Sequence, residues 1–303
     1  MKQLDYEVYE SLVNRIDSKY LNIVLNGIIK DNILKELGTK RKPTSMLVYG
    51  KSGVGKTYST EEILKILEVP YILVDLKQYS EVGYHGKDIS SIFQDLLIKY
   101  DNDINKVENS TIILDEFDKI QAANSDHKDV SGIGLQHSLL KILDGMDITV
   151  ANGGNSRALG RTINLNTKNM TFIFIGAFSN LSINQKNKHE TLTSNGFSIE
   201  LVNRFNKIVK FEEASDTTLF KYLSLDNKSS PLYEYSLIFN KMGCKLEFKD
   251  IKKTNEIIVS KAKENGYSYR SINYIVDEMF LPHIYKVYLE NINKIKIDGI
   301  NTY

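Results

Sequence analysis

The chain has 303 residues, of which 42% are hydrophobic and 25% are charged, so it can bury a sizeable core and is not disordered throughout. Its 39 basic and 38 acidic residues give a net charge of +1, which argues against a dominant polyanion-binding surface but not against a local patch. Cys244 is the single cysteine, which excludes an internal disulfide framework and a zinc module built from several cysteines.

The first twenty residues and the lengths of the apolar runs predict the cellular compartment. The first twenty residues are charged throughout and lack the apolar core of a signal peptide. No run of the sequence approaches eighteen apolar residues. We therefore expect a cytoplasmic protein that does not enter a membrane.

Up to about residue 212, the hydrophobic pattern alternates between helices and short strands. Residues 4–37 are predicted to form one amphipathic helix, which ends before Pro43 because proline cannot continue it. Four apolar runs are predicted strands: MLVYG (46–50), YILVD (71–75), TIILDE (111–116) and TFIFIGAF (171–178). Strands that alternate with helices predict an α/β fold with a parallel sheet sandwiched between helices.

Beyond residue 212 the pattern changes. Three helical segments are accompanied by two short strand-like runs, CKLEF (244–248) and KIKIDGI (294–300). This predicts a small, mainly helical C-terminal domain over residues 213–303. Residues 1–212 are then predicted to form the large domain, with residues 1–44 as a helical lead-in.

A glycine-rich stretch after the first predicted strand fits the phosphate-binding pattern G-x-x-x-x-G-K-[ST]. The nucleotide-binding residues predicted from it are Gly50, Ser52, Gly53, Val54, Gly55, Lys56, Thr57 and Tyr58. The glycines allow backbone N–H groups to surround phosphate oxygens at the positive end of the following helix. Lys56 is predicted to neutralise the β- and γ-phosphates of ATP, and the Thr57 hydroxyl to bind Mg²⁺.

An acidic pair closes the third predicted strand. Asp115 can hold Mg²⁺ through its water shell, and Glu116 can orient and deprotonate the attacking water. Such a pair is common at strand ends. Its position two predicted strands after the phosphate loop makes it strong evidence, and the adjacent Glu116 favours ATP hydrolysis.

Segments around these two motifs resemble the ClpX/HslU branch of the AAA+ ATPases. The resemblance is most specific from LEVPYILVD to LDEFDKI (67–120) and in KDVSGIGLQHSLLKILDG (128–145). It extends over about residues 45–300 through NLNTKNMTFIFIGAF, FSIELVNRFNKIVKF, KLEFKD and YRSINYIVDEM. The resemblance implies an AAA+ P-loop fold, ATP and Mg²⁺ as cofactors, and a chaperone-like unfoldase that threads a protein substrate through the pore of a ring.

The resemblance also implies roles for residues outside the two motifs. Arg204 stands at the position of the arginine finger, where a neighbouring subunit's guanidinium stabilises charge on the γ-phosphate. Arg270 stands at the sensor-2 position, although Ser268 and Tyr269 replace the family's Gly-Ala. Asn180 is a candidate for sensor 1. A finger supplied in trans requires a head-to-tail ring, and the resemblance implies a homohexamer.

Two segments match the family's pore loops. Gly83, Tyr84, His85 and Gly86 stand where the family has its aromatic pore loop, with His85 in place of the usual valine. In a ring, the Tyr84 side chains would line the channel and grip a polypeptide without reading its sequence. Residues 128–134 match the second pore loop.

The resemblance stops at regions that contact partners. The family's N-terminal zinc-binding domain has no counterpart, and NGGNSRALG replaces the loop at the pore entrance. The loop that docks onto the ClpP peptidase has no counterpart between Phe178 and Phe197. We therefore expect a motor that works without a ClpP-type peptidase.

Two other functions remain open from the sequence. Lys40, Arg41 and Lys42 form a basic cluster that would suit an AAA+ ATPase acting on nucleic acid or loading replication proteins, although the near-neutral charge weighs against it. A nucleotide-sensing scaffold without turnover is the other alternative, and the presence of Glu116 and Arg204 argues against it.

Overall fold

The computed structural model describes residues 6–13, 16, 18–79, 87–122, 130–151, 162–179, 183, 187–264, 266 and 268–302. These residues form two compact units. The first unit takes in the described residues of 1–9, 19–50 and 56–211, and the second those of 10–18, 51–55 and 212–303. The predicted domain boundary at residue 212 stays a prediction.

The helices and strands of the described residues include the four strands predicted from the sequence. In chain order they are α1 (Tyr6–Val13), α2 (Ser18–Glu36), β1 (Thr44–Tyr49), α3 (Lys56–Ile66), β2 (Tyr71–Asp75), α4 (Ser91–Lys99), α5 (Ile104–Glu108), β3 (Thr111–Asp115), α6 (Val130–Leu143), β4 (Asp147–Ala151), β5 (Thr162–Asn166), β6 (Thr171–Gly176), α7 (Lys188–Ser194), α8 (Ile199–Val202), β7 (Lys207–Lys210), α9 (Asp216–Tyr222), α10 (Pro231–Lys241), β8 (Lys245–Phe248), α11 (Ile251–Glu264), α12 (Tyr269–Glu290), β9 (Lys294–Asp298) and β10 (Asn301–Thr302).

The first unit is built on a five-stranded sheet in the order β2-β3-β6-β1-β7. All neighbouring strands in it are parallel. The inner strands are apolar along nearly their whole length because both of their faces are buried. The predicted α/β fold, with helices flanking a parallel sheet and a helical C-terminal part, is confirmed. Since all five strands run the same way, their carboxyl ends meet at one edge of the sheet.

The helical lead-in differs from the prediction. The single helix expected over residues 4–37 is wrong, because the chain forms α1 and α2 with Ile16 in a bend between them. The buried Leu12, Ile16 and Tyr20 keep a spacing of four across the break, so the sequence pattern does not reveal it. Leu37, which follows α2, is 66% exposed, and Gly38 ends the helix with a left-handed φ of 64°.

The first unit also contains elements that the sequence pattern did not predict. Strands β4 and β5 form an antiparallel pair outside the main sheet, and β7 adds a parallel edge strand beside β1. Strand β5 has the sequence TINLN, and only one of its five residues is buried. Such a strand is stabilised by its pairing rather than by an apolar run.

The second unit has a small sheet and several helices. Strand β8 pairs parallel with β9, and β10 pairs antiparallel with β9. Helix α12 buries one face, formed by Ile272, Ile275, Val276 and Met279. Within the part of the chain that the structure describes, no helix is both long and apolar enough to cross a membrane.

A buried charge network joins α2 to the amino-terminal ends of β1 and β6. The Asp31 carboxylate accepts hydrogen bonds from Lys40 Nζ at 2.7 Å, from Thr171 Oγ1 at 2.6 Å and from Thr44 Oγ1. Burial alone would raise the pKa of Asp31, but the Lys40 charge and these hydrogen bonds outweigh burial and hold the pKa below its usual value. Burial lowers the pKa of Lys40 to about 8 even though Asp31 is beside it. Lys40 is 4% exposed and is therefore not part of a basic surface with Arg41.

Replacing Asp31 with alanine should lower the free energy of unfolding by about 3–5 kcal/mol, because Lys40 would stay buried without its counter-charge. Urea denaturation measures the change. The double variant Asp31→Ala/Lys40→Met should recover part of the loss, and Glu36→Ala, at an exposed position on the same helix, should change little. A loss below about 1 kcal/mol for Asp31→Ala would show that the network does not hold this end of the sheet.

Candidate functional site

The phosphate-loop stretch begins where β1 ends, beside the chain that follows β7. The amide N of Phe211 donates to the carbonyl O of Tyr49 at 2.7 Å. A Cβ atom on Gly50 would therefore lie 2.3 Å from the carbonyl O of Phe211. Glycine at this position follows from the close approach of two backbones.

Lys56 and Thr57 open α3 at the same edge of the sheet. Lys56 is buried, and its Nζ donates to the carbonyl O of Gly50 at 2.6 Å. Thr57 Oγ1 donates to Asp115 Oδ2 at 2.7 Å. Thr57 and Asp115, which are both predicted to bind Mg²⁺, are thus in direct contact, although one follows β1 and the other ends β3.

Glu116 leaves β3 in an unusual backbone conformation. Its φ of 59° and ψ of 31° are left-handed, which is uncommon for a residue with a side chain. The Glu116 amide N donates to Asp115 Oδ1 at 2.8 Å, and Glu116 Oε2 lies 3.2 Å from Lys77 Nζ. Lys77 is held just beyond β2 because its amide N donates to Asp75 Oδ1 at 2.9 Å. A local backbone outlier of this kind at a strand end is typical of a functional position.

Arg204 lies at the opposite end of the sheet from Lys56. The Ser45 hydroxyl at the start of β1 donates to the carbonyl O of Arg204. The Arg204 side chain extends from there to Asp144, with 2.7 Å between Nε and Oδ1. The hydrogen bond to Asp144 raises the pKa of Arg204, so the guanidinium carries its charge at every physiological pH.

The middle of the phosphate loop and Arg270 belong to the second unit. Arg270 Nη1 donates to Ser52 Oγ at 3.3 Å, and the Tyr269 amide N donates to the carbonyl O of Gly53 at 3.2 Å. Gly53 has a φ of 78°, and a Cβ atom there would lie 3.0 Å from Ser268 Oγ. Glycine at 53 is thus required both by its backbone angle and by the start of α12.

The oxygen donors in the first unit are suited to one kind of metal ion. Among the described residues, no group of three or more His, Cys, Asp or Glu side chains is placed to hold a metal. Thr57 and Asp115 supply one hydroxyl and one carboxylate. Mg²⁺ is commonly bound by one or two protein oxygens together with substrate phosphates and water, so this pair fits Mg²⁺ better than zinc or calcium.

A comparison with protein families identifies the family to which this chain belongs. The model of the AAA domain family (Cdc48 subfamily) matches residues 41–208, which is more than half of the chain. The chain belongs to this family. The predictions of an AAA+ ATPase and of a resemblance to ClpX are confirmed.

Individual relatives of this AAA protein are ClpX proteins. It is 28% identical over 265 residues to the ATP-dependent Clp protease ATP-binding subunit ClpX 2 of Wolinella succinogenes, covering 80% of this chain and 66% of that protein. It is 28% identical over 321 residues to ClpX of Bacteroides thetaiotaomicron, covering 94% of this chain and 77% of that protein. With ClpX of Bacteroides fragilis it shares 29% identity over 276 residues, which are 80% of this chain and 66% of that protein.

The roles of the individual residues in this AAA protein stay predictions. Thr57 and Asp115 are in direct contact, and Tyr58, the residue after Thr57, is half-exposed on α3. The predicted pore loop over residues 83–86 and the sensor-1 candidate Asn180 lie outside the described residues. The second pore loop is described only from residue 130 onward, in α6.

Two charged residues that contact predicted site residues were not found from the sequence. Lys77 contacts Glu116, and Asp144 contacts Arg204. Neither belongs to a recognisable motif. For Asp144, the one available signal was a carboxylate at the end of a helix, where a positive charge is usually favoured.

Gly50→Ala should destabilise the first unit by about 1–3 kcal/mol, because the added methyl group meets the backbone of Phe211 rather than a side chain that could move. The urea midpoint measures this loss. Gly27→Ala is the matched control: the nearest atom to its Cβ would be 3.5 Å away, so the change should raise stability by about 0.5–1 kcal/mol through helix propensity. If the two variants shifted the midpoint in the same direction, the close approach at Gly50 would be wrong.

Proposed function

We propose that this chain is an ATP-hydrolysing, ClpX-like motor that assembles into a ring, most simply a homohexamer, and threads polypeptide substrates through its pore. Residues 1–212 would be its nucleotide-binding domain and residues 213–303 its small domain. The observation that carries the hydrolytic part is the 2.7 Å contact between Thr57 Oγ1 and Asp115 Oδ2, with Glu116 next in the chain. The ClpX relatives, which are named as ATP-binding subunits of Clp proteases, support the rest.

In the proposed site each residue has a distinct task. Lys56 turns from the Gly50 carbonyl to the β- and γ-phosphates of ATP, with the backbone N–H groups of the loop around them. Bound Mg²⁺ would neutralise phosphate charge, and Thr57 and Asp115 are the oxygen donors that would hold it. Arg270, which contacts Ser52 within the second unit, would take the sensor-2 role that the ClpX resemblance implies.

Glu116 would act as the general base on the attacking water. Lys77 binds Oε2 of its carboxylate, and Oε1 has no recorded partner among the described residues. The glutamate can therefore be held in place through one oxygen and accept a proton from water through the other. In this arrangement Lys77 orients the base without blocking it.

The position of Arg204 supports a role in a neighbouring subunit. Its backbone is attached at Ser45, and the phosphate loop begins at Gly50, at the other end of β1. Five residues of strand span roughly 16 Å, which is more than an arginine side chain can reach. Arg204 therefore cannot serve the nucleotide bound to its own β1, but in a head-to-tail ring it could serve the nucleotide of the next subunit.

The action on polypeptide rests on the ClpX resemblance at Gly83, Tyr84, His85 and Gly86. An aromatic side chain between two glycines combines a large contact surface with a mobile backbone, which suits a grip that does not depend on substrate sequence. No ClpP-type peptidase is part of this proposal, because the docking loop has no counterpart in the sequence.

The nucleic-acid alternative has lost part of its support. Lys40 was one of three residues in the basic cluster behind it, and Lys40 is buried against Asp31. Two exposed basic residues, Arg41 and Lys42, are a small electrostatic footprint for binding a phosphate backbone. An ATPase rate that rises severalfold with single- or double-stranded DNA would restore this alternative.

Glu116→Gln should retain ATP binding and lower kcat for hydrolysis by about 10²–10⁴-fold, because the amide cannot accept the proton of the attacking water. Steady-state ATPase assays and nucleotide retention on a desalting column measure the two effects. Glu36→Gln, on an exposed helix end, is the control and should behave as the wild type. Capture of polypeptide by the Glu116→Gln protein in ATP would also identify the substrate. Hydrolysis at the wild-type rate would remove Glu116 from the mechanism.

Tyr84→Ala should keep the basal ATPase rate within about twofold and lose stimulation by casein, an unfolded polypeptide, because the grip is lost while the hydrolytic residues are intact. Tyr84→Phe keeps an aromatic side chain and should keep most of the stimulation by casein. The measurement is the ATPase rate with and without casein. Full stimulation of Tyr84→Ala would contradict threading by this loop.

A further inference from the structure

We propose that Asp144 is the positioning residue of the arginine finger: it holds the Arg204 guanidinium by Nε, so that both terminal nitrogens point to the γ-phosphate in the neighbouring subunit. This inference rests on the proposed function. It adds a residue that neither the sequence motifs nor the family resemblance assigns to the reaction.

The contact uses Nε, the guanidinium nitrogen that an arginine finger does not need when both terminal nitrogens bind phosphate. Arg204 Nε donates to Asp144 Oδ1 at 2.7 Å. Among the described residues, the structure records no hydrogen-bond partner for Nη1 or Nη2 of Arg204. Two parallel N–H donors on the terminal nitrogens match a phosphate bidentately. A carboxylate bound at Nε leaves that edge of the fork available.

The backbone of Arg204 is fixed as firmly as its side chain. The Ser45 hydroxyl donates to the Arg204 carbonyl O. Two residues further on, the Asn206 amide N donates to the Ser45 carbonyl O at 2.9 Å, and the Ser45 amide N donates to Asn206 Oδ1 at 2.8 Å. The finger is thus attached to β1, an inner strand of the sheet. Groups held in this way present charge without having to reorganise.

Asp144 occupies a position where a carboxylate is otherwise unfavourable. It follows Leu143, the last residue of α6, and a helix carboxyl end favours positive charge. Gly145 continues with a left-handed φ of 79°, and a Cβ atom there would lie 3.2 Å from Pro43 Cδ. The turn that carries Asp144 therefore lies close against Pro43. A carboxylate at this position is explained by its arginine partner rather than by the helix.

The pair is poorly suited to a purely structural role. Both side chains are 37% exposed, and ion pairs at such positions contribute little to stability because water screens them. Removing Asp144 should therefore change the orientation of Arg204 more than the stability of the fold.

The test compares ATPase kinetics of four variants of the full chain: Asp144→Ala, Asp144→Asn, Arg204→Ala and Asp216→Ala. Asp144→Ala should lower kcat about tenfold to a hundredfold with little change in KM for ATP, because a misplaced finger weakens the transition state rather than ATP binding. Asp144→Asn keeps an oxygen that accepts from Nε and should recover most of kcat. Asp216→Ala breaks an exposed ion pair with Lys263 and should leave kcat and KM unchanged.

Mixed rings separate a finger defect from a defect in the subunit's own site. Glu116→Gln subunits lack the base but carry an intact finger. Mixed one to one with Asp144→Ala subunits, they should restore about a quarter of the wild-type rate, since about a quarter of sites then combine an intact base with an intact finger. The same mixture with Arg204→Ala should be restored equally.

Three results would overturn the inference. If Asp144→Ala turned over at the wild-type rate while Arg204→Ala lost activity, Asp144 would have no positioning role and the proposed finger would stand. If mixing restored Arg204→Ala but not Asp144→Ala, the Asp144 defect would lie in its own subunit. If mixing failed to restore Arg204→Ala, the trans finger of the proposed function would fail, and the inference with it.

Discussion

The hydrogen bond between Thr57 and Asp115 depends on the order of strands in the sheet. The two residues follow β1 and β3, which are not neighbours, because β6 lies between them. The contact therefore has to pass over the end of β6. That strand ends in Gly176, where a Cβ atom would lie 2.4 Å from Phe178 Cε2 and 3.0 Å from Asp118 Oδ1. Glycine at this strand end follows from the close approach of these two side chains.

The polarity of a parallel sheet also separates two sets of charged groups. Lys56, Asp115 and Glu116 lie at the carboxyl ends of the strands, where loops in parallel sheets commonly hold ligands. Arg204 and the Asp31 network lie at the amino-terminal ends of β1 and β6. A group at one end cannot reach the other within one sheet. If Arg204 acts in hydrolysis, the geometry of a single chain already requires a second copy.

The positions of individual charge pairs are more informative about this chain than its net charge of +1. Lys40 is buried with Asp31, Lys77 contacts Glu116, and Arg204 contacts Asp144. The first pair joins α2 to the amino-terminal ends of β1 and β6. The other two pairs involve half-exposed side chains, whose pairing contributes little to stability. The second and third pairs are therefore better explained by orientation of the proposed base and the proposed finger than by support of the fold.

The sequence by itself determined the features that depend on neighbouring residues. Apolar runs specify β1, β2, β3 and β6, and the phosphate-loop pattern is contiguous in the sequence. Only the tertiary structure decided the rest. The break between α1 and α2 keeps the spacing of a helix, and β5 is recognisable as a strand only beside β4. Lys77 and Asp144 can be assigned a role only through partners far away in the chain. Asp144 lies 60 residues before its partner Arg204. Contacts of this kind are set by which strand ends and helix ends the sheet brings together, and no local pattern of residues encodes them.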